Sequence, residues 1–169
     1  MGQKLNINKK SVKICVHLWP KLSYGLMKLP EDKIKILFLC TGNACRSQMA
    51  EGWARHLKAD VIDAYSAGIS PDQLNERAVE VMAEAGVDIS QQYSKHIDDL
   101  AGIDFDYVIT LCDSAREMCP VFPGKTKMVH RGFEDPSFII GSEHEIMTAF
   151  RKTRDRIRTF IETLPESLE

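Results

Sequence analysis

The sequence predicts one α/β domain in which helices flank a four-stranded parallel sheet. Short apolar runs typical of buried strands alternate along the chain with amphipathic helical patterns, which favours strand–helix–strand units. The 169 residues are 44% hydrophobic and 27% charged, which is the composition of an ordinary globular domain with enough chain for one hydrophobic core.

The core domain is predicted to begin with a strand, a tight loop and a helix. The apolar run at residues 34–39 is typical of a strand buried on both faces of a parallel sheet, and Cys40 ends it. Gly42 and Asn43 tolerate the left-handed backbone that a tight turn requires. An amphipathic helix is expected from about residue 47 to residue 58.

The remaining elements are predicted from the same two periodicities. In chain order they are a strand at 61–67, a helix at 76–85, a short helix near 97–101, a strand at 107–111, a loose helix at 113–119, a strand at 127–130 and a helix at 142–164. The last helix has an apolar stripe, which we expect to be buried, formed by Ile146, Ala149, Phe150, Ile157 and Ile161.

Residues 1–32 are predicted to be an N-terminal extension outside the core, so the domain is assigned to residues 33–169. The extension is rich in lysine at its start, and Pro20, Gly25 and Pro30 interrupt any continuous element. Cys15 lies in this segment, and we interpret it as non-catalytic.

Charge and hydropathy exclude several classes of partner. The formal net charge of −2 gives no basic footprint for nucleic acid or an anionic membrane. No apolar run approaches the roughly 20 residues of a transmembrane helix, and no signal-peptide pattern is present. We therefore expect a cytoplasmic protein, a monomer, without nucleic-acid or membrane partners.

The five cysteines indicate reactive thiols. An odd number of cysteines without an export signal argues against a structural disulfide framework. The sequence has no C-x2-C pair and no histidines at ligand spacing, which argues against a zinc site.

Cys40 opens a loop that is suited to an oxyanion. Five residues separate Cys40 from Arg46, so the closed loop can aim backbone N–H groups and one guanidinium at the point where the sulfur lies. The predicted oxyanion-binding residues are Thr41, Gly42, Asn43, Ala44, Cys45, Arg46 and Ser47.

The thiol of Cys40 is predicted to have a lowered pKa. The positive end of the following helix, the charge of Arg46, and donors from Thr41 and Ser47 all favour a thiolate. Ser47 has an alternative role as a plain N-cap of the helix. The other cysteine of the loop, Cys45, is interpreted as structural or supporting.

Two further residues are predicted to lie at the same edge of the sheet. Cys112 follows the strand at 107–111, and the carboxyl ends of parallel strands are where ligands bind in open α/β sheets. Asp135 is a candidate general acid in a nearby loop, although an aspartate before Pro136 is also a common turn pattern.

Several motifs of the chain resemble those of a known family. The segments CTGNACRSQMAEG, YSAG, TLC-x6-C-P, H-x-GF and an Asp-Pro pair look like the arsenate reductases built on the low-molecular-weight tyrosine phosphatase fold, of the type served by thioredoxin. The resemblance spans about residues 33–163. The oxyanion loop is shared with the phosphatases, and the cysteine pair separates the two activities.

The resemblance implies a three-thiol relay. Cys40 attacks arsenate, Cys112 takes the sulfur of Cys40 into a disulfide with release of arsenite, and Cys119 then attacks Cys112. The relay implies arsenate as substrate, Asp135 as proton donor and thioredoxin as external reductant, with no cofactor required. Because six residues lie between Cys112 and Cys119, their disulfide requires the segment between them to unwind.

The resemblance also implies an optional potassium ion, as found in some members. Its matching positions here are Asn43, Glu51, Ser66 and Asp98, whose oxygen atoms suit a hard cation. The chain departs from the family pattern at Arg131, where a Trp often stands, and at Ser137, where phosphatases commonly carry Tyr.

Two other functions stay open at this stage. One is a phosphatase of the same fold, weakened by the missing Tyr, and the other is a non-enzymatic oxyanion or redox sensor that uses Cys112 and Cys119 as a switch. The sequence also leaves glutaredoxin and mycothiol open as alternatives to thioredoxin.

Overall fold

A computed structural model describes residues 33–122 and 124–168 of the chain. Within them the strands are β1 (Ile34–Cys40), β2 (Ile62–Gly68), β3 (Tyr107–Thr110) and β4 (Lys127–His130). The α-helices are α1 (Arg46–Leu57), α2 (Glu76–Glu84), α3 (Asp113–Glu117) and α4 (Glu143–Glu162), and short 3₁₀ helices form at Ile97–Leu100, Pro136–Phe138 and Glu166–Leu168. The predicted extension at 1–32, with Cys15, lies outside the described residues.

The strands form one parallel sheet in the order β2-β1-β3-β4, which confirms the predicted fold class. The chain leaves β1 in one direction to form β2 and then crosses back to form β3 on the other side of β1. The sheet therefore has a topological switch point between β1 and β3, and a ligand site is expected outside their carboxyl ends.

Burial explains why β1 is apolar at consecutive positions. Residues 36–39 have no exposed surface, because β1 is a central strand covered on both faces. The following helix is enclosed as well, since every residue at 46–54 is buried, including Trp53 at 1% exposure. The strand, the loop and the start of α1 are thus embedded in the core.

Local capping explains where the other helices begin. Ser142 and Glu145 form a capping box at the start of α4, and the Asn75 side chain accepts N–H bonds from the first turn of α2. Gly86 follows α2 at a φ of +80°, as a C′ glycine does. None of the helices in the described ranges is long and apolar enough to cross a membrane.

The predicted apolar stripe of α4 is partly wrong. Phe150, Ile157 and Ile161 are buried, but Ile146 and Ala149 are only half-buried. The structure also buries Met147, Thr153 and Phe160. The reason is that α4 packs against α1, α2 and the 3₁₀ helix at Pro136–Phe138, so that its buried face is broader than one stripe.

Candidate active site

A pocket of about 570 Å³ lies at the carboxyl edge of β1 and β3. Its lining includes four of the five predicted catalytic residues: Cys40, Arg46, Cys112 and Asp135. The sheet topology brings them together, because Cys40 ends β1, and Cys112 follows β3. Cys119 is not among the lining residues.

The loop after Cys40 has its carbonyl groups tied to the segment at residues 69–75. The carbonyls of Thr41, Gly42 and Ala44 accept N–H bonds from this segment at 2.8–2.9 Å. Because a trans peptide group points its N–H opposite to its C=O, the next N–H in each case faces away from the segment. Of these N–H groups, that of Asn43 donates to Cys40 Sγ, and those of Gly42 and Cys45 are left for an anion in the pocket.

Asn43 is the left-handed residue of the loop, with a φ of +46°. Its backbone N–H donates to Cys40 Sγ at 3.2 Å, and its carbonyl accepts from Gln48 Nε2 and Ser94 Oγ. Gly68 lies against the same turn, where an added Cβ would meet the Thr41 carbonyl oxygen at 2.7 Å. The loop conformation is therefore fixed by its neighbours on both sides.

The Asn43 side chain fixes the direction of a hydrogen-bond chain that reaches the thiol. Its Oδ1 accepts from the Lys95 N–H, so its Nδ2 donates to Ser47 Oγ at 2.8 Å and to Ser66 Oγ at 2.9 Å. The hydroxyl hydrogen of Ser47 is then free to donate to Cys40 Sγ at 2.9 Å. Ser47 is not the N-cap of α1, because Cys45 occupies that position.

The predicted lowering of the Cys40 pKa is wrong as a net direction. Burial raises the pKa of the Cys40 thiol, which is 3% exposed. The hydrogen bonds from Ser47 and the Asn43 N–H and the charge of Arg46 lower it, but they do not outweigh burial. The predicted lowering groups are in place, and the sequence pattern missed the depth at which the sulfur lies.

Replacing Ser47 with Ala is expected to shift the ionisation of Cys40 to higher pH. The hydroxyl opposes the effect of burial, so its loss raises the pKa further, and the thiolate forms at higher pH. Below the inflection, carboxymethylation of Cys40 by iodoacetate should slow by about tenfold, the effect of losing one hydrogen bond to a charged group. The rate is measured against pH by peptide mass spectrometry, with Ser90→Ala as the exposed control. An unchanged inflection in Ser47→Ala would contradict this role.

Arg46 is held at the mouth of the loop by two contacts. Its Nη1 donates to the Phe133 carbonyl at 3.0 Å, and its Nη2 forms an ion pair with the Asp135 carboxylate. Its Nε is buried and has no partner among the described residues, so one guanidinium donor is left for a ligand. Asp135 also caps the 3₁₀ helix at Pro136–Phe138, so its turn role and its place in the pocket coexist.

Cys45 lies in the loop as a buried thiol at 6% exposure. Burial raises the pKa of the Cys45 thiol well above its ordinary value, and the nearby Asp135 carboxylate adds to the effect. Cys45 is therefore a neutral thiol at physiological pH, and its supporting role stays a prediction.

Cys112 and Cys119 lie just beyond the two ends of α3. Cys112 is the N-cap residue, and its Sγ lies 3.3 Å from Thr41 Oγ1. Cys119 is half-buried, and burial raises the pKa of its thiol. Cys119 follows Cys112 by seven positions, which at a helical rise of about 1.5 Å per residue corresponds to a Cα separation of about 10 Å, beyond the reach of a disulfide. Bonding these sulfurs requires α3 to unwind.

The residues predicted for potassium do not form a cation site together. Asn43, Ser66 and Glu51 are neighbours, and Ser66 Oγ donates to Glu51 Oε2. The Asp98 side chain is 85% exposed and contacts His96 instead, so it lies outside this buried group. Within residues 33–122 and 124–168, no cluster of three His, Cys, Asp or Glu side chains is placed to hold a metal ion.

The sequence reasoning missed three residues that position the loop. Gln48, Ser94 and Lys95 each donate to Asn43, and Gln48 is fully buried. Gln48 gave no usable signal, because a polar residue in a predicted amphipathic helix is expected on the exposed face. Ser94 and Lys95 lie about fifty positions away in sequence and carry no local signal.

Comparisons with known proteins agree with this geometry. The model of the low molecular weight phosphotyrosine protein phosphatase family matches residues 35–169. An arsenate reductase of Halalkalibacterium halodurans is 47% identical over 136 residues, which cover 78% of this chain and 98% of that protein.

Two solved structures are similar in fold. A structure described as an arsenate reductase in the phosphate binding state has a TM-score of 0.66 and 31% identity, covering 80% of this chain and 99% of that chain. The thioredoxin-dependent arsenate reductase of Corynebacterium glutamicum has a TM-score of 0.59 and 28% identity, covering 83% of this chain and 66% of that chain.

Proposed function

The chain belongs to the low molecular weight phosphotyrosine protein phosphatase family, and we propose that within this family it is an arsenate reductase. The observation that carries the proposal is the shared pocket of Cys40 and Cys112, with Thr41 Oγ1 3.3 Å from Cys112 Sγ. A phosphatase needs only the first thiol, whereas a reductase needs a second thiol that reaches the first. The arsenate reductase at 47% identity supports the same choice.

In the first step, arsenate binds in the loop and is attacked by Cys40. The N–H groups of the loop and the guanidinium of Arg46 bind the arsenate oxygens. A bond forms between Cys40 Sγ and arsenic, an As–O bond breaks, and the leaving oxygen departs as water after taking a proton. Asp135, which lines the pocket beside Arg46 as a carboxylate, is the proposed carrier of that proton: it takes the proton from the Cys40 thiol as the sulfur attacks and passes it to the leaving oxygen. Arsenic stays in the +5 state.

In the second step, Cys112 reduces the arsenic. The Cys112 thiolate attacks Cys40 Sγ, an S–S bond forms, and the S–As bond breaks with its electron pair left on arsenic. Arsenic passes from +5 to +3 and leaves as arsenite, while the two thiols are oxidised to one disulfide. The contact between Cys112 and Thr41 holds the attacking sulfur beside the loop.

In the third step, Cys119 frees Cys40. The Cys119 thiolate attacks Cys112 Sγ, which forms the Cys112–Cys119 disulfide and releases Cys40 as a thiolate. Because the two cysteines flank α3, this step needs α3 to unwind, and the new disulfide is then held in an unwound segment. Met118 and Val121 beside Cys119 are already exposed, so the segment lies at the surface.

Thioredoxin is the proposed external reductant, and arsenate the substrate. The low reduction potential of thioredoxin suits reduction of a protein disulfide, and the structurally similar arsenate reductase of Corynebacterium glutamicum is thioredoxin-dependent. A cytoplasmic location, where such systems keep thiols reduced, fits this role. Glutaredoxin and mycothiol systems are the competing reductants.

A coupled assay tests the proposal. The protein is supplied with arsenate, thioredoxin, thioredoxin reductase and NADPH, and arsenite is quantified beside NADPH oxidation. The expected result is one arsenite per NADPH, with a much lower rate when glutaredoxin or mycothiol replaces thioredoxin. Hydrolysis of an aryl phosphate that survives Cys112→Ser, without arsenite production by the unmodified protein, would identify a phosphatase instead. Oxyanion binding without turnover of either substrate would identify a sensor.

A further inference from the structure

The carboxylate of Glu51 is buried beneath the oxyanion loop. Its side chain is 2% exposed, and such a charge is stable in the core only with partners. Ser66 donates a hydrogen bond to it, Arg55 Nη2 lies 2.5 Å from Oε1, and Lys95 Nζ lies 3.6 Å from Oε2. Two cationic side chains of this chain therefore already face the carboxylate.

Of the two cations, Lys95 acts in the more enclosed environment. The Lys95 side chain is 12% exposed, whereas the Arg55 side chain is 56% exposed, so water screens the arginine pair more strongly. The Lys95 ammonium is also fixed by the Tyr93 ring at 4.9 Å and by the Tyr93 carbonyl at 3.3 Å. Its position is thus set by contacts other than the ion pair.

Lys95 is connected to the nucleophile by both its backbone and its side chain. Its N–H donates to Asn43 Oδ1 at 2.9 Å, which orients the amide that donates to Ser47. Its ammonium lies beside Glu51, which receives the Ser66 hydrogen bond and thereby orients the acceptor for Asn43 Nδ2. A change at Lys95 is therefore transmitted to the loop that binds the oxyanion.

We propose that Lys95 is a positioning residue that supplies the more enclosed of two positive charges under the oxyanion loop, so that this chain needs no potassium ion there. The ammonium and a potassium ion carry the same charge and would compete for the same carboxylate, and like charges at one site repel. Asp98, the fourth residue of the predicted potassium set, is exposed and supplies no compensating negative charge. The proposal rests on the proposed reductase function where arsenate KM and kcat are measured. The measurement of phosphate affinity does not depend on that function.

The test compares ions and variants in the full-length protein. Arsenate KM and kcat, phosphate affinity by calorimetry, and thermal midpoint are measured in potassium chloride and in tetramethylammonium chloride at equal ionic strength. The variants are Lys95→Met and Lys95→Asp, with Lys127→Met as a control for loss of an exposed lysine that lies over a tyrosine ring.

The unmodified protein is expected to give the same values in both salts. Lys95→Met should raise the arsenate KM and weaken phosphate binding by about tenfold while kcat changes little, because a misplaced loop loses binding geometry. Lys95→Asp should show the same defect in tetramethylammonium, and potassium should restore binding and raise the thermal midpoint. Lys127→Met should behave as the unmodified protein.

Two results would overturn the proposal. One is a potassium-specific improvement in phosphate affinity or thermal midpoint of the unmodified protein, which requires no variant to fold. The other is a Lys95→Met protein whose phosphate affinity matches that of Lys127→Met. If phosphate binding responds as expected but no variant or unmodified protein produces arsenite, the reductase function is wrong and the role of Lys95 stands.

Discussion

Replacing Cys40 with Ser is expected to abolish arsenate reduction, with a loss of at least about a thousandfold. Cys40 lies at the end of β1, where the Asn43 N–H and the Ser47 hydroxyl converge on its sulfur. A serine hydroxyl at this position cannot form the sulfur–arsenic bond or enter a disulfide. Cys112 and Cys119 would remain, but neither lies in the loop.

Oxyanion binding should survive in Cys40→Ser. The N–H donors of the loop and the Arg46 guanidinium do not depend on the sulfur, so phosphate affinity by calorimetry is expected within about threefold of the unmodified value. Residual arsenite production in this variant with added thioredoxin would show that a different thiol attacks arsenate. Loss of phosphate binding together with a lower thermal midpoint would show that the sulfur is needed for the loop to fold.

Replacing Cys112 or Cys119 with Ser is expected to stop steady-state turnover in both cases, but at different points. Without Cys112 the adduct on Cys40 has no intramolecular thiol to attack it, so no arsenite is released. Without Cys119 the first two steps proceed, so one arsenite per protein molecule is released before the cycle stops. The steady-state rate should fall by at least about a hundredfold in each variant, to the background of direct thiol attack.

A rapid-quench assay without added reductant separates the two variants. The expected yields are close to zero arsenite per protein for Cys112→Ser and close to one for Cys119→Ser. Equal yields would show that the two cysteines do not act in succession. Full steady-state activity in either variant would show that thioredoxin acts directly on the arsenic adduct.

The sequence was sufficient where neighbouring residues determine the structure. The strand, loop and helix around Cys40 are contiguous, so the apolar run, the turn residue Asn43 and the helical spacing predicted them within two residues. The edge shared by Cys40 and Cys112 followed from one rule, that parallel strands present their carboxyl ends together. The first prediction depends on the local sequence pattern, and the second depends on a general rule of sheet topology.

The sequence was insufficient where distant segments meet. Burial of the Cys40 sulfur depends on how β2, β3 and the segment at 69–75 enclose the loop, so the sign of its pKa shift could not be predicted from adjacent donors. Asp98 was predicted to join Glu51 in a potassium site, but the chain turns so that Lys95 faces inward and Asp98 outward. Both residues lie in a short segment outside the α-helices and strands, where no hydrophobic periodicity indicates whether Lys95 or Asp98 faces the core.

The most direct test of the thiol relay is disulfide mapping of Cys119→Ser after one exposure to arsenate. The protein is alkylated and digested without reduction, and the disulfide-linked peptides are identified by mass spectrometry. The relay predicts a Cys40–Cys112 disulfide in this variant and a Cys112–Cys119 disulfide in the unmodified protein. If Cys119→Ser contains no Cys40–Cys112 disulfide while the unmodified protein reduces arsenate normally, the order of the relay is contradicted, and attack by an external thiol on the arsenic adduct is the better mechanism.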